Sequence, residues 1–460
     1  MRRIGGVVLA ASALLCGCAD FSGIHSESRP AALQKVSPKF NVDAKWWRIF
    51  KDDQLDALIG EALADSPDIR VARARIRLAK NLSALSGADL YPQLNADGSA
   101  VRQRISAKGY FPPPLGGSTL NLGQLTLDVD YELDWWGKNR AALHAALSDT
   151  SAEEAVAQET RLILGTAIAQ SYFRLQANLA KLDISRHILE REEALLGLVR
   201  FRAENGLESD LRVHQEESRV AESKLAISKM EEAAKLGRSR IAALLGKPLQ
   251  RGDAIGARIV SPPEIPSAIP ADLIGMRPDI IAQRSRIEAA SSRVKEAKAE
   301  FYPNIDLGAY VGVESIGFGN LFKGGSEIAS FGPAIHLPIF GGGRLRANLG
   351  AKYAQYDILV EEYNGMVIDA MRDVHDASTS LKSLGSQISA QNDVLMGLQK
   401  AHRIALDRYR EGLADELSVF EAETPLLSQK NVKTDLDEMR LETILEMIES
   451  LGGAPSSNPG

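Results

Sequence analysis

The side chains that could do chemistry in this chain are few, and their spacing does not suit catalysis. The seven histidines are scattered, and none stands at metal-ligand spacing to another. No nucleophile elbow and no phosphate-binding glycine loop opens a helix after a strand. Gly341-Gly342-Gly343 lacks the dinucleotide spacing and reads as a strand-to-helix turn. No catalytic residue, cofactor or metal is therefore expected, and a hydrolase has no motif to support it. What remains is a set of acids at every second position, Asp128, Asp130, Glu132 and Asp134, and near the N-terminus Cys18, the second of the two cysteines.

The cysteine comes first in the chain. Arg2 and Arg3 precede an apolar run from Ile4 to Leu15, too short to span a membrane permanently and typical of a secretory signal. The run ends in Leu15-Cys16-Gly17-Cys18, which resembles a bacterial lipoprotein signal, so residues 1–17 are expected to be removed and Cys18 to carry lipid, palmitate included. The alternative is a plain secreted protein cleaved elsewhere. Ala19, where Asp would favour inner-membrane retention, directs the expectation to the outer membrane. Losing Arg2 and Arg3 takes the formal charge from -6 to -8 and leaves no second cysteine, which excludes disulfides and thiolate metal sites. That charge gives no basic footprint for nucleic acid.

The acids belong to a strand. Leu125, Leu127, Val129, Tyr131, Leu133 and Trp135 alternate with Thr126, Asp128, Asp130, Glu132 and Asp134, the period of two expected of a strand with one greasy and one acidic face. An ordinary half-buried strand would alternate too, but four acids followed by Trp135-Trp136 fit a strand between lipid and a wet lumen. WGKNR closes the strand. From Lys138 the chain reaches Glu204 without a proline, 67 residues that as one helix would span about 100 Å.

The same pattern occurs twice. SPDI at 66–69 matches RPDI at 277–280, and LYPQL at 90–94 matches FYPNI at 301–305, both offset by 211 residues (68 to 279, 91 to 302). Past the hairpins the offset is 206: GKNR at 137 matches GRLR at 343, and NGLESDL at 205 matches EGLADEL at 411. Register kept over half the chain means tandem duplication. Leu94 to Ala100, Ile305 to Val313 and Phe331 to Ile339 alternate as three further strands in phase with the first. Apolar residues seven apart (Ile168 to Leu196, Val213 to Ile241, Val367 to Leu395) imply left-handed coiling of long helices. Gly206 and Gly412 each break a helical pattern just past a basic turn.

Each copy is thus a helix, a β-hairpin and a very long helical hairpin. The expected boundaries are a tether and equatorial segment at 18–65, repeat 1 at 66–246, an inter-repeat linker at 247–276, repeat 2 at 277–451 and a disordered tail at 452–460. Four strands cannot close a barrel, and an open sheet edge is not tolerated in lipid. Several chains must contribute, and three would give twelve strands. The rival architecture is a soluble four-stranded sheet with coiled-coil arms.

These motifs together, from the Trp46-Trp47 entry through the paired RPDI-like and FYP motifs to the two GL tips, resemble a TolC-type outer-membrane factor of the lipidated NodT branch. The resemblance implies an α+β membrane protein: a trimeric twelve-stranded outer-membrane barrel continued by a periplasmic α-helical coiled-coil barrel with an equatorial collar. It implies a passive exit duct for small molecules or drugs, in partnership with a periplasmic membrane-fusion adaptor and an inner-membrane RND-type transporter. Two alternatives stay open, a duct for type I protein secretion and a non-pore coiled-coil structural lipoprotein. Asp128, Asp130 and Glu132 would line the barrel lumen. The tips RAENGL and RYREGL would meet the adaptor through Arg202, Gly206, Leu207, Arg408, Gly412 and Leu413, unless each leucine only caps its own coil. Leu417 and Glu421, four apart on one helical face, would narrow the periplasmic aperture with Arg410 as an ion-pair partner, unless this stretch is a solvated acidic face.

Overall fold

The computed structural model describes residues 21–32, 40–43, 45–263 and 271–457. In chain order the elements are β1 (Phe40–Asp43), a 3-10 turn (Trp46–Phe50), α1 (Asp53–Asp65), α2 (Pro67–Ala88), β2 (Gln93–Arg104), β3 (Thr119–Glu132), α3 (Lys138–Glu204) and α4 (Asp210–Leu244). After two 3-10 turns, Leu249–Ala254 and Ala271–Met276, the second copy follows: α5 (Pro278–Ala299), β4 (Asn304–Ile316), β5 (Glu327–His336), α6 (Arg344–Arg410) and α7 (Glu416–Ser450), closed by β6 (Ala454–Ser457). The duplication is visible in the lengths, since α3 and α6 each have 67 residues and α4 and α7 each have 35. No helix among the described residues is long and apolar enough to cross a membrane.

The chain forms two compact units. The first comprises Met1–Pro30, Arg75–Glu154 and Ala282–Tyr363. Its centre is an antiparallel sheet in the order β2-β3-β4-β5. The register sets Leu94 opposite Val129, Leu127 opposite Val311, Val129 opposite Ala309 and Ile305 opposite Ile335, so the apolar positions of all four strands share one face. Gly312 lets β3 come close, because a Cβ there would lie 2.1 Å from the Leu125 carbonyl oxygen. The ladder is shorter than the alternation suggested. Leu133 and Trp135 lie past β3 and Leu337 and Ile339 past β5, although the Leu133 N–H still donates to Ile305 O at 2.8 Å.

Below the sheet in this unit, an Arg293–Asp149 ion pair joins α5 to α3, and Lys80 meets Glu154 at 2.9 Å to join α2 to α3. Residues of the expected tether are held here. Phe21 sits edge-on to Phe301 at 5.1 Å, Ser26 Oγ and the Glu27 N–H donate to Asp357, and Arg346 donates to Ser22 O. Phe21 and Ile24 give this stretch apolar anchors that polar composition concealed. Cys18 and the 1–17 segment lie outside the described residues.

The second unit comprises Ala31–Ala74, Ala155–Ile281 and Asn364–Gly460. Trp46, Trp47 and Phe50 are buried with Leu55, Leu58 and Ile59 against Ile168, Phe173 and Leu175 and against Ile444 and Ile448. Asp52 caps α1 through the N–H groups of Gln54 and Leu55, and the Tyr172 hydroxyl donates to the same carboxylate at 2.8 Å. Burial and that carboxylate push the tyrosine hydroxyl well above its usual range. The heptad positions from Ile168 to Leu196, from Val213 to Ile241 and from Val367 to Leu395 are buried or half-buried throughout. The tail also departs from expectation, because Ala454–Ser457 pairs antiparallel with Phe40–Asp43. A four-residue pairing is too short to carry a periodic signal.

Candidate functional site

Two places hold the side chains singled out by the sequence, one in each unit. In the first unit they lie on the polar face of the sheet. Asp128 stands opposite Asn95 and Tyr310, Asp130 opposite Gln93 and Gly308, and Glu132 opposite Asp306. The three acids share one face because residues two apart on a strand point the same way. Like charges directly opposite are unfavourable, and here neighbours compensate: Lys138 meets Glu132 at 2.6 Å, Asn304 donates to Asp306, and the Thr126 hydroxyl donates to Asp128 at 2.7 Å. The other face is bare hydrocarbon. Leu94 is 68% exposed, Leu127 49%, Val311 58%, Phe331 77% and Ile335 69%. A continuous apolar face of this extent does not persist in water, and Trp135, Trp136, Tyr302 and Tyr91 at the strand ends supply the aromatic border of a membrane belt.

In the second unit the site is the pair of helical-hairpin tips. Each follows one geometry. Gly206 (φ 73°) and Gly412 (φ 72°) take the left-handed conformation. The Leu207 N–H reaches back to Arg202 O and the Leu413 N–H to Arg408 O, both at 2.8 Å, which closes the helix end as a glycine C-cap does. Ser209 and Asp415 then cap the returning helices. The leucines are left outside, 68% and 64% exposed, so neither folds back on its own coil. Arg202 crosses to Asp415 at 3.3 Å, joining the first tip to the second. Hydrogen bonds from the Ser418 hydroxyl and N–H, with Arg202 beside it, hold the Asp415 carboxyl below the usual carboxylate range.

The aperture residues lie just inside the second tip. Glu421 is exposed, and its partner within the chain is Arg212 at 3.2 Å, not Arg410. Among the described residues Arg410 approaches Asp407, at 4.0 Å on its own helix α6, whereas Glu421 lies on α7. Arg212 also holds Glu216, 1% exposed, which Arg219 contacts as well. Leu417 is half-buried against the cluster of Leu195, Val199 and Phe420. Sequence reasoning missed Arg212 and Asp415 because their partners are more than 200 positions away. The 206-residue offset sets Asp415 on Ser209 and could have marked both as caps.

A mostly helical chain with a four-stranded, two-faced sheet and an internal repeat defines an outer-membrane channel protein. The outer membrane efflux protein family matches residues 58–247 and 269–453, and the chain belongs to that family. It is 30% identical over 477 residues to the multidrug resistance outer membrane protein MdtP of Escherichia coli strain K12, covering 98% of this chain and 96% of MdtP. It is 36% identical over 367 residues to the fusaric acid resistance protein FusA of Burkholderia cepacia, covering 75% of this chain and 68% of FusA. Among solved structures, the outer membrane protein VceC of Vibrio cholerae is 33% identical with a TM-score of 0.82, covering 90% of this chain and 100% of VceC.

Proposed function

We propose that three copies of this chain form the exit duct of a tripartite efflux system, passing small molecules that an inner-membrane RND-type transporter delivers through a periplasmic adaptor. The observation that carries the reading is the sheet. Its apolar face needs lipid and its acidic face needs water, while the outer edges of β2 and β5 have no hydrogen-bonding partner strand among the described residues. Twelve strands from three chains meet all three demands. Asp128, Asp130 and Glu132 then face the lumen and give it a cation-attracting wall. Drug-like substrates are supported by the resistance phenotypes that name MdtP and FusA. Cys18 carries the lipid that tethers the mature N-terminus to the outer membrane, a reading supported by the signal it ends.

The tips dock the adaptor. Leu207 and Leu413 are large, apolar and solvent-facing on rigid capped turns, the form of an interaction anchor. The test replaces both with Glu and measures drug resistance in cells that carry the matching adaptor and pump, alongside single-channel conductance of the purified protein. Resistance is expected to be lost while discrete conductance steps persist. Unchanged resistance removes the docking role, and a wild-type protein that gives no conductance steps removes the duct.

A further inference from the structure

A second feature of the sheet-bearing unit lies where the strands hand over to the helices. A groove of about 690 Å³ runs between the start of α3 and the second half of α5. That volume suits a small-ligand headgroup. Trp136, between β3 and α3, forms its upper lip. Arg140 and His144 line one wall at helical spacing, Lys295 lines the other, and Ser148 and Ser291 add hydroxyls between them. His144 and Lys295 are solvent-facing. Neither has an ion-pair partner among the described residues, whereas nearby Lys138, Arg140 and Arg293 are held by Glu132, Asp134 and Asp149. Arg140 gives Nε and Nη2 to Asp134 and keeps Nη1 free. Glu288, at the far end, is the one acid on the wall.

Lys298, three residues from Lys295 and therefore on the same face of α5, lies over the ring of Phe21 at 5.8 Å. Phe21 belongs to the N-terminal stretch that comes from Cys18, and a chain tethered to lipid runs outside the wall. The groove therefore lies just beneath the aromatic border of the belt, at headgroup depth in the periplasmic leaflet. Basic pockets between helices at that depth collect anionic phospholipids.

We propose that this groove is a binding site for the phosphate of an anionic glycerophospholipid, with Lys295 and His144 on the phosphate, the serines on the glycerol oxygens and Trp136 against the first methylenes of an acyl chain. The site would fix the height of the trimer in the membrane, and it rests on the outer-membrane reading above. The test is native mass spectrometry of the delipidated trimer in detergent, titrated with phosphatidylglycerol. The wild type is expected to take up three lipids per trimer before weaker binding begins, and to prefer phosphatidylglycerol to the net-neutral phosphatidylcholine. Lys295→Glu with His144→Glu should weaken the first three binding steps roughly tenfold, Lys295→Gln less, and Lys295→Arg should leave them intact. Uptake by Lys295→Gln or by the double variant equal to wild type overturns the site. Displacement of the lipid by millimolar inorganic phosphate would make it a free-anion site and overturns the lipid assignment. Loss of the trimer in the wild type would fault the channel reading instead, since the lipid steps are counted only on intact trimers.

Discussion

The two helical hairpins have equal lengths and one ancestral pattern, yet they solve different problems. The first is a core. Ile168, Tyr172, Phe173 and Leu175 of α3 are fully buried within the chain, and Arg212, Glu216 and Arg219 stiffen α4 behind its tip. The second leaves an apolar surface uncovered on α6, with Ile368 67% exposed, and Met371, Met396 and Ile404 exposed beside the same helix. At the place where the first copy has Arg219, the second has Pro425, which removes the N–H that would bond to the Glu421 carbonyl. Even the paired leucines differ, since Leu211 is exposed while its counterpart Leu417 packs against the first hairpin. Duplication supplied two similar wall segments. Divergence buried Leu162 in the first and left its counterpart Ile368 exposed in the second.

The largest contrast should come from the helices themselves. Ile168→Ala is expected to cost about 2–5 kcal/mol, because it empties a filled core position. Thermal unfolding should show this whether or not the trimer is assembled. Ile368→Ala should leave the isolated chain's stability unchanged and instead lower the detergent concentration at which trimers dissociate. Equal effects on unfolding would erase the distinction between support and interface.

Next comes the sheet, where the contrast lies between faces. Leu127→Arg should cost about 2–4 kcal/mol near the bilayer midplane, and Asp128→Arg should be mild because it faces water. Urea unfolding from lipid vesicles measures both, and similar losses would mean that the faces are not lipid and lumen.

At the second tip, the Arg212–Glu421 pair is exposed and worth at most about 1 kcal/mol, so it can hold an aperture without locking it. Leu417→Ala with Glu421→Ala should raise single-channel conductance, and Pro425→Ala, which restores a helical hydrogen bond, should lower it. A Pro425→Ala channel that conducts like wild type would show that the second hairpin does not bend there.

The smallest effect separates the caps. Asp415 titrates and Ser209 does not. The folded-state pKa of Asp415 is depressed, so its contribution is present above the unfolded value of about 3.9 and is lost as pH falls through the lower folded value. Amide exchange at Ser418 should therefore accelerate between pH 5 and the acid limit relative to Arg212, after correction for intrinsic rates. Parallel behaviour of the two amides would remove the cap from the account.

Much of this architecture was legible because its signals are periodic. Alternation fixed the faces of the sheet, the proline-free run from Lys138 to Glu204 matched α3 end to end, and the glycines marked both tips. Contacts made by single residues far apart were not legible. Arg212 finds Glu421 across 209 positions and Ser26 finds Asp357 across 331, and nothing local in either pair points to the other. The short β1–β6 pairing was hidden for the same reason, with no repeat to reveal it. The ion pair expected of Arg410 is not made with Glu421 inside one chain, since Arg410 approaches Asp407 on its own helix.

In the proposed channel β2 of one copy pairs with β5 of the next, and three copies close the ring. The most direct measurement is disulfide cross-linking of a set of cysteine pairs, one on β2 between Leu94 and Gly98 and one on β5 between Ala329 and Ile335, in a sequence whose own cysteines are Cys16 and Cys18. Under oxidation the account predicts covalent dimers and trimers for at least one register, with nothing larger. Monomers for every pair, or a ladder that continues past the trimer, would contradict it.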